Sequence, residues 1–122
     1  MLDTLIEITQ ELILLRKKPS TQERWKSYPS LLQAFKEQLE QCEDVATLKE
    51  VLRLDTGYFL LAGYRQQVIE KLLGIERSPA LLRAYALQLE LFGDVDEIGA
   101  ANLNVDAKVQ ALHDEADKLE KG

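Results

Sequence analysis

The chain has 122 residues, 46% of them hydrophobic and 30% charged, with a formal net charge of −6. That length suggests one domain able to bury a core without metals or disulfides. The acidic balance disfavours DNA or RNA as the main partner, because binding a phosphate backbone needs a surplus of Lys and Arg.

The N-terminal stretch from Leu2 to Arg16 predicts a first helix. Leu2, Leu5, Ile8, Leu12 and Leu15 recur at spacings of three and four, and Ile6 and Ile13 widen the stripe. Arg16, Lys17 and Lys18 stand where the helix dipole favours cations, and Pro19 stops the helix. Ser20 and Glu23 have capping-box spacing and should start the next helix. Trp25, Tyr28, Leu32, Phe35, Leu39 and Cys42 then form one helical face with Pro29 inside it. Either one kinked helix runs through Pro29, or a new helix begins with Pro29 in its first turn; the repeat below favours the second. Asp44 can cap a helix from Val45 to Leu54, and Asp55-Thr56-Gly57 reads as a turn.

The segment from Tyr58 to Leu73 is almost wholly apolar and is expected to be the central helix of the fold. Gly74 suits the left-handed position that ends a helix, and Ala62-Gly63 offers a place for close approach of a neighbour. Ser78-Pro79 is a helix start, with the helix ending at Gly93. Asp94 and Glu97 form a further capping pair, and Asn104 can cap a last helix with the stripe Val105, Val109, Leu112, Ala116 and Leu119. Strand signals are nearly absent. The expected fold is all-α, a compact bundle or short solenoid of six to seven antiparallel helices in a single domain spanning 1–122.

The sequence also repeats itself. Residues 29–45 align without gaps on residues 79–95, and nine of the 17 positions are identical, including the initial Pro and the final Asp-Val. This defines repeat copies at 29–54 and 79–103 around the central 58–73 helix. The second copy, with Leu81, Leu82, Ala86, Leu89, Gly93, Asp94, Glu97 and Ile98, resembles a degenerate tetratricopeptide-type hairpin over about 20 residues, or about 35 with the first copy. Its 50-residue offset departs from that family's period of about 34, and the Trp, Gly and Tyr of the family's first helix are missing. The resemblance implies a protein-binding helical scaffold and no active site.

Where the first copy has Lys36, Glu37 and Gln41, the second has Ala86, Leu87 and Leu91. The second copy therefore carries an extra apolar face, Ala80, Leu87 and Leu91. A neighbouring helix can cover that face, or a partner or second copy can. Together with Val105, Val109 and Leu112 of the last stripe, these are the candidate partner-binding residues.

Groups that could carry chemistry are sparse. His113 is the only histidine, and neither Glu-x-x-His nor His-x-x-x-His spacing occurs, so the usual helical metal pairs are absent. Cys42 stands where the second copy has Phe92, which reads as buried core. Acids at the two corners, Glu40, Glu43 and Asp44, then Glu90, Asp94, Asp96 and Glu97, could hold a divalent cation but lack the calcium-loop pattern. Arg16, Lys17, Lys18, Arg24 and Lys26 cluster near Trp25 and Tyr28, a pattern that single-stranded nucleic acid can use, though one short cluster on an acidic chain is little for it.

The expectation is a non-enzymatic interaction or adaptor module, with no catalytic residues, cofactor or metal. Its partner is another protein, with homo-oligomerisation open. The alternatives are a small helical enzyme with a carboxylate metal site and a nucleic-acid regulator. The lone thiol, the acidic N-terminus and the lack of a membrane-length apolar run point to the cytoplasm.

Overall fold

The computed structural model describes residues 3–17, 26–57, 60–96 and 99–121. These are mostly helical, with six helices and one two-stranded ribbon, so the fold is all-α. They fall into two compact units, Met1–Tyr64 and Arg65–Gly122.

In the first unit, α1 (Asp3–Lys17) packs against both α2 (Tyr28–Gln41) and α3 (Val45–Leu54). Leu5, Leu12 and Leu15 are buried as the stripe predicts. Thr9 is also fully buried, whereas Ile8 is only half-buried. The Thr9 hydroxyl donates to the Leu5 carbonyl at 2.7 Å, so its burial leaves no unpaired polar atom. The predicted capping box at Ser20–Glu23, with Pro19 and Trp25, lies outside the described residues.

α2 starts at Tyr28 with Pro29 in its first turn, and Leu31 N–H donates to the Ser27 carbonyl at 2.9 Å. Pro29 thus opens a helix where its missing N–H costs nothing. Phe35 and Leu39 enter the core, and the Phe35 ring stacks on Tyr64 with centroids 5.4 Å apart. Cys42 does not sit in the core. It is half-buried at the C-cap of α2, where its N–H donates to the Gln38 and Leu39 carbonyls. Asp44 caps α3, accepting from Thr47 N–H at 2.9 Å and the Thr47 hydroxyl at 2.6 Å. Those bonds hold its carboxyl below the usual value.

The central helix begins later than predicted. Asp55 is fully buried and accepts from Leu60 N–H at 3.1 Å. That bond holds the chain in a turn at Leu60, and α4 runs from Ala62 to Ile75. Tyr58 and Phe59 lie outside the described residues. Gly63 falls in the first turn of α4, where a glycine interrupts little of the helix. Gly74 does not take a left-handed conformation; α4 continues through it, and Glu76 N–H donates to the Leu72 carbonyl at 2.7 Å.

The second unit contains α4 from Arg65 onward, α5 (Pro79–Phe92), β1 (Asp94–Val95), β2 (Ala101–Asn102) and α6 (Asp106–Lys121). Here the sequence reading fails at one element. Among the described residues Asp94 opens a strand and not a helix; β1 and β2 pair antiparallel, Asp94 opposite Asn102 and Val95 opposite Ala101. Residues 79–103, expected as a second repeat copy, thus hold one helix and a ribbon, where residues 29–54 hold two helices. Asn104 does not cap α6 either: Val109 N–H donates to the Val105 carbonyl at 2.8 Å, so Val105 precedes the first helical residue.

Two features account for the ribbon. Gly93 has φ +80° and ψ −179°, a conformation open essentially to glycine alone. A Cβ there would meet the Asn102 carbonyl and the Leu103 side chain, each at 2.9 Å. In addition, the buried Gln66 side chain pairs with β1 as a neighbouring strand would. It accepts from Val95 N–H at 2.9 Å and donates to the Val95 carbonyl at 3.3 Å and Asp94 Oδ1 at 2.8 Å.

Candidate interaction surface

α5 is bounded as the sequence dictates. Ser78 Oγ accepts from Leu81 N–H at 3.3 Å, Pro79 opens the helix, and Gly93 N–H closes it on the Leu89 carbonyl. One side is core: Leu81, Leu82, Tyr85, Ala86, Gln88 and Leu89 are buried. The other side is not covered. Ala80 is exposed, and Leu87 and Leu91 keep 48% and 52% of their surface in solvent.

Ala80, Leu87 and Leu91 therefore share an open face. Half-buried Ala84 completes it, giving spacings of four, three and four, which place all four residues within one narrow stripe. Ala84 was legible from that spacing although the contrast between the two copies does not single it out. Arg83 and Glu90 lie along one flank of the stripe. Leu103, 77% exposed just beyond β2, adds apolar surface beside Gly93.

The other predicted binding residues are placed inside. Val105, Val109 and Leu112 are only 7%, 8% and 7% exposed. They belong to the stripe of α6, which packs along α5. Apolar residues at helical spacing have here been used for the core, and the candidate surface contracts to α5.

Ion pairs fasten α6 to α5 and to Arg77 in the link before it. Arg77 bonds Glu115 through Nε and Nη2, both at 2.7 Å. Arg83 reaches Asp117 at 2.7 Å, Glu120 at 2.7 Å and His113 Nδ1 at 3.0 Å. Because a guanidinium only donates, His113 Nδ1 must accept. Hydrogen bonding to the arginines holds the carboxyls of Glu115 and Asp117 below their usual range. Each pair is largely exposed, so its contribution to stability is small.

A second polar constellation joins α4, α5, β1 and α6. Tyr85 Oη donates to Glu70 at 2.7 Å, and the Lys108 ammonium lies 5.2 Å from the Tyr85 ring centre. Lys108 also bonds Asp94 Oδ2 at 3.0 Å, while Gln66 holds Oδ1. Burial pushes the Tyr85 phenol up to about 12. Burial pulls Lys108 down, but hydrogen bonding to Tyr85 and Asp94 outweighs it and the net shift is upward. Hydrogen bonding to Lys108 and Gln66 lowers Asp94. A general base or nucleophile is tuned toward neutral pH; Tyr85 and Lys108 are both tuned away from it. These contacts position α6 and the ribbon.

Among the described residues, no three His, Cys, Asp or Glu side chains gather as a metal site, and no helix is long and apolar enough to cross a membrane. An open cleft of about 360 Å³ lies against the ribbon, lined by Asp94, Asp96, Ala100, Ala101 and Asn102. Another of about 250 Å³ lies between α1 and α2, lined by Glu11, Leu14, Leu15, Ser27 and Leu31. Neither gathers groups poised for reaction. Comparison of the sequence with protein-family models, curated proteins and solved structures finds no match.

Proposed function

We propose that this chain is a non-enzymatic protein-interaction module that docks a partner on the Ala80, Leu87 and Leu91 face of α5. The observation that carries this reading is two leucines, each about half in solvent, on one face of a capped helix whose opposite face is core. Completing the burial of each would contribute about 1 kcal/mol, from the scale of roughly 1.5–3 kcal/mol for a whole Leu side chain. The helix, corner, helix of α2 and α3 supports the reading in the first repeat copy, as the tetratricopeptide-type resemblance implies. A cytoplasmic setting belongs to the same reading, supported by the lone thiol.

The test is a paired substitution, Leu87→Glu with Leu91→Glu. The expected result is a variant that still folds and melts cooperatively, at a modestly lower temperature, together with loss of proteins captured by the wild-type chain from its host. Unfolding of the variant would make the two leucines core, and undiminished capture would place binding elsewhere.

A further inference from the structure

We infer that the α5 face takes a second copy of this chain, packed antiparallel across a two-fold axis near Leu87. The inference rests on the interaction reading above and names the occupant. An isologous interface must be self-complementary, and α5 has that pattern in both size and charge. Reversing the stripe about Leu87 brings Leu91 of one copy within one residue, about 1.5 Å along the axis, of Ala84 of the other, twice, with Leu87 against Leu87 at the centre. Large then meets small on each side, as interdigitating helices require.

The flank has the same symmetry. A two-fold axis perpendicular to both helices brings like flanks together. Arg83 of one copy then meets Glu90 of the other, again twice. Glu90 is exposed, 4.0 Å from His113 and, among the described residues, without a closer ion pair. Arg83 is already held by Asp117, Glu120 and His113, and these bonds use four of its five N–H donors. Its side chain is fixed in advance, so less rotamer freedom is lost on pairing. Asp117 and Glu120 already more than neutralise Arg83, so each Arg83–Glu90 approach adds little attraction, and two copies of net charge −6 repel; the apolar stripe therefore carries both the association and its direction. One 14-residue helix face is at the small end of specific interfaces, which places the association in the weak, transient class.

Thiol cross-linking reads both contact and direction. In the full chain with Cys42→Ser, two variants are compared, Leu87→Cys and Ala80→Cys, both on the exposed stripe. An antiparallel pair brings the two 87 positions to disulfide distance and keeps the two 80 positions ~20 Å apart, at 1.5 Å per residue. The expected result is that Leu87→Cys forms covalent dimer at least about tenfold faster than Ala80→Cys, as a raised effective concentration requires. Sedimentation of the Cys42→Ser parent in 0.15 M salt should show a monomer–dimer equilibrium that Leu87→Glu removes while the variant still melts cooperatively. Equal cross-linking rates would overturn the antiparallel pairing, and a parent that stays monomeric at millimolar concentration would overturn the self-association. If the parent is monomeric while Leu87→Glu with Leu91→Glu still abolishes capture of another protein, the second-copy inference falls and the interaction reading stands.

Discussion

Gly93 concentrates more of the second unit's geometry than any other single position. Its φ of +80° with extended ψ excludes other residues, and a Cβ would meet a backbone carbonyl that cannot yield cheaply. Gly93→Ala should destabilise the protein by about 2–3 kcal/mol, the upper range for such backbone strain, read from a urea melt. Tyr85 gives a subtler test. Its folded value is raised to about 12 from an ordinary 10.0, so the stability it contributes is fully present below pH 10 and is lost as pH rises toward 12. Tyr85→Phe should lose about 1 kcal/mol at pH 7 with the Glu70 bond, and its melting temperature should fall less steeply than wild type above pH 10. Neither residue announced its role in the sequence. A glycine after a helix is a common stop signal, but the strand pairing that follows depends on a glutamine 27 positions upstream.

At the scale of elements, local chemistry was readable and non-local chemistry was not. Ser78 and Asp44 marked their helix starts correctly because a cap bonds backbone only three residues away, and Pro29 marked its own because proline's fixed φ and missing N–H suit a first turn. The failures have distant causes. The ribbon exists where Gln66 reaches Val95, and the late start of α4 follows from buried Asp55. The α6 stripe could not be told from a docking face by period alone, since both need apolar residues at the same spacing. Burial separates them, and substitution should do the same. Val109→Asp should cost more than about 3 kcal/mol by placing a carboxylate in the core, whereas Leu87→Glu, which gives up only the covered half of one side chain, should cost about 1 kcal/mol. Chemical denaturation of both variants gives the comparison directly. The contrast between the two repeat copies was the one sequence signal that led to the open face. Glu37 and Gln41 align with Leu87 and Leu91, which are exposed, whereas Lys36 aligns with Ala86, which is buried.

For the molecule as a whole, charge arrangement sets the range of conditions in which it stays folded. Asp44, Asp94, Glu115 and Asp117 all have folded values below their ordinary 3.8 or 4.5. A depressed carboxyl contributes stability above its unfolded value and loses it as pH falls through the folded one. Stability should therefore hold from about pH 5 to pH 10, decline below pH 4 and decline again toward pH 12, with a smaller acid decline in high salt because the pairs are exposed. Thermal melts across pH 2–11 check the profile. The Gln66 clamp has a further consequence. Val95 N–H bonds a side-chain amide and not a backbone carbonyl, so it becomes exposed to water whenever one glutamine changes rotamer. Its hydrogen exchange should follow a local opening with a free energy well below that of global unfolding. One amide resonance would thus report how firmly the ribbon is tethered, in the unmodified protein and under native conditions.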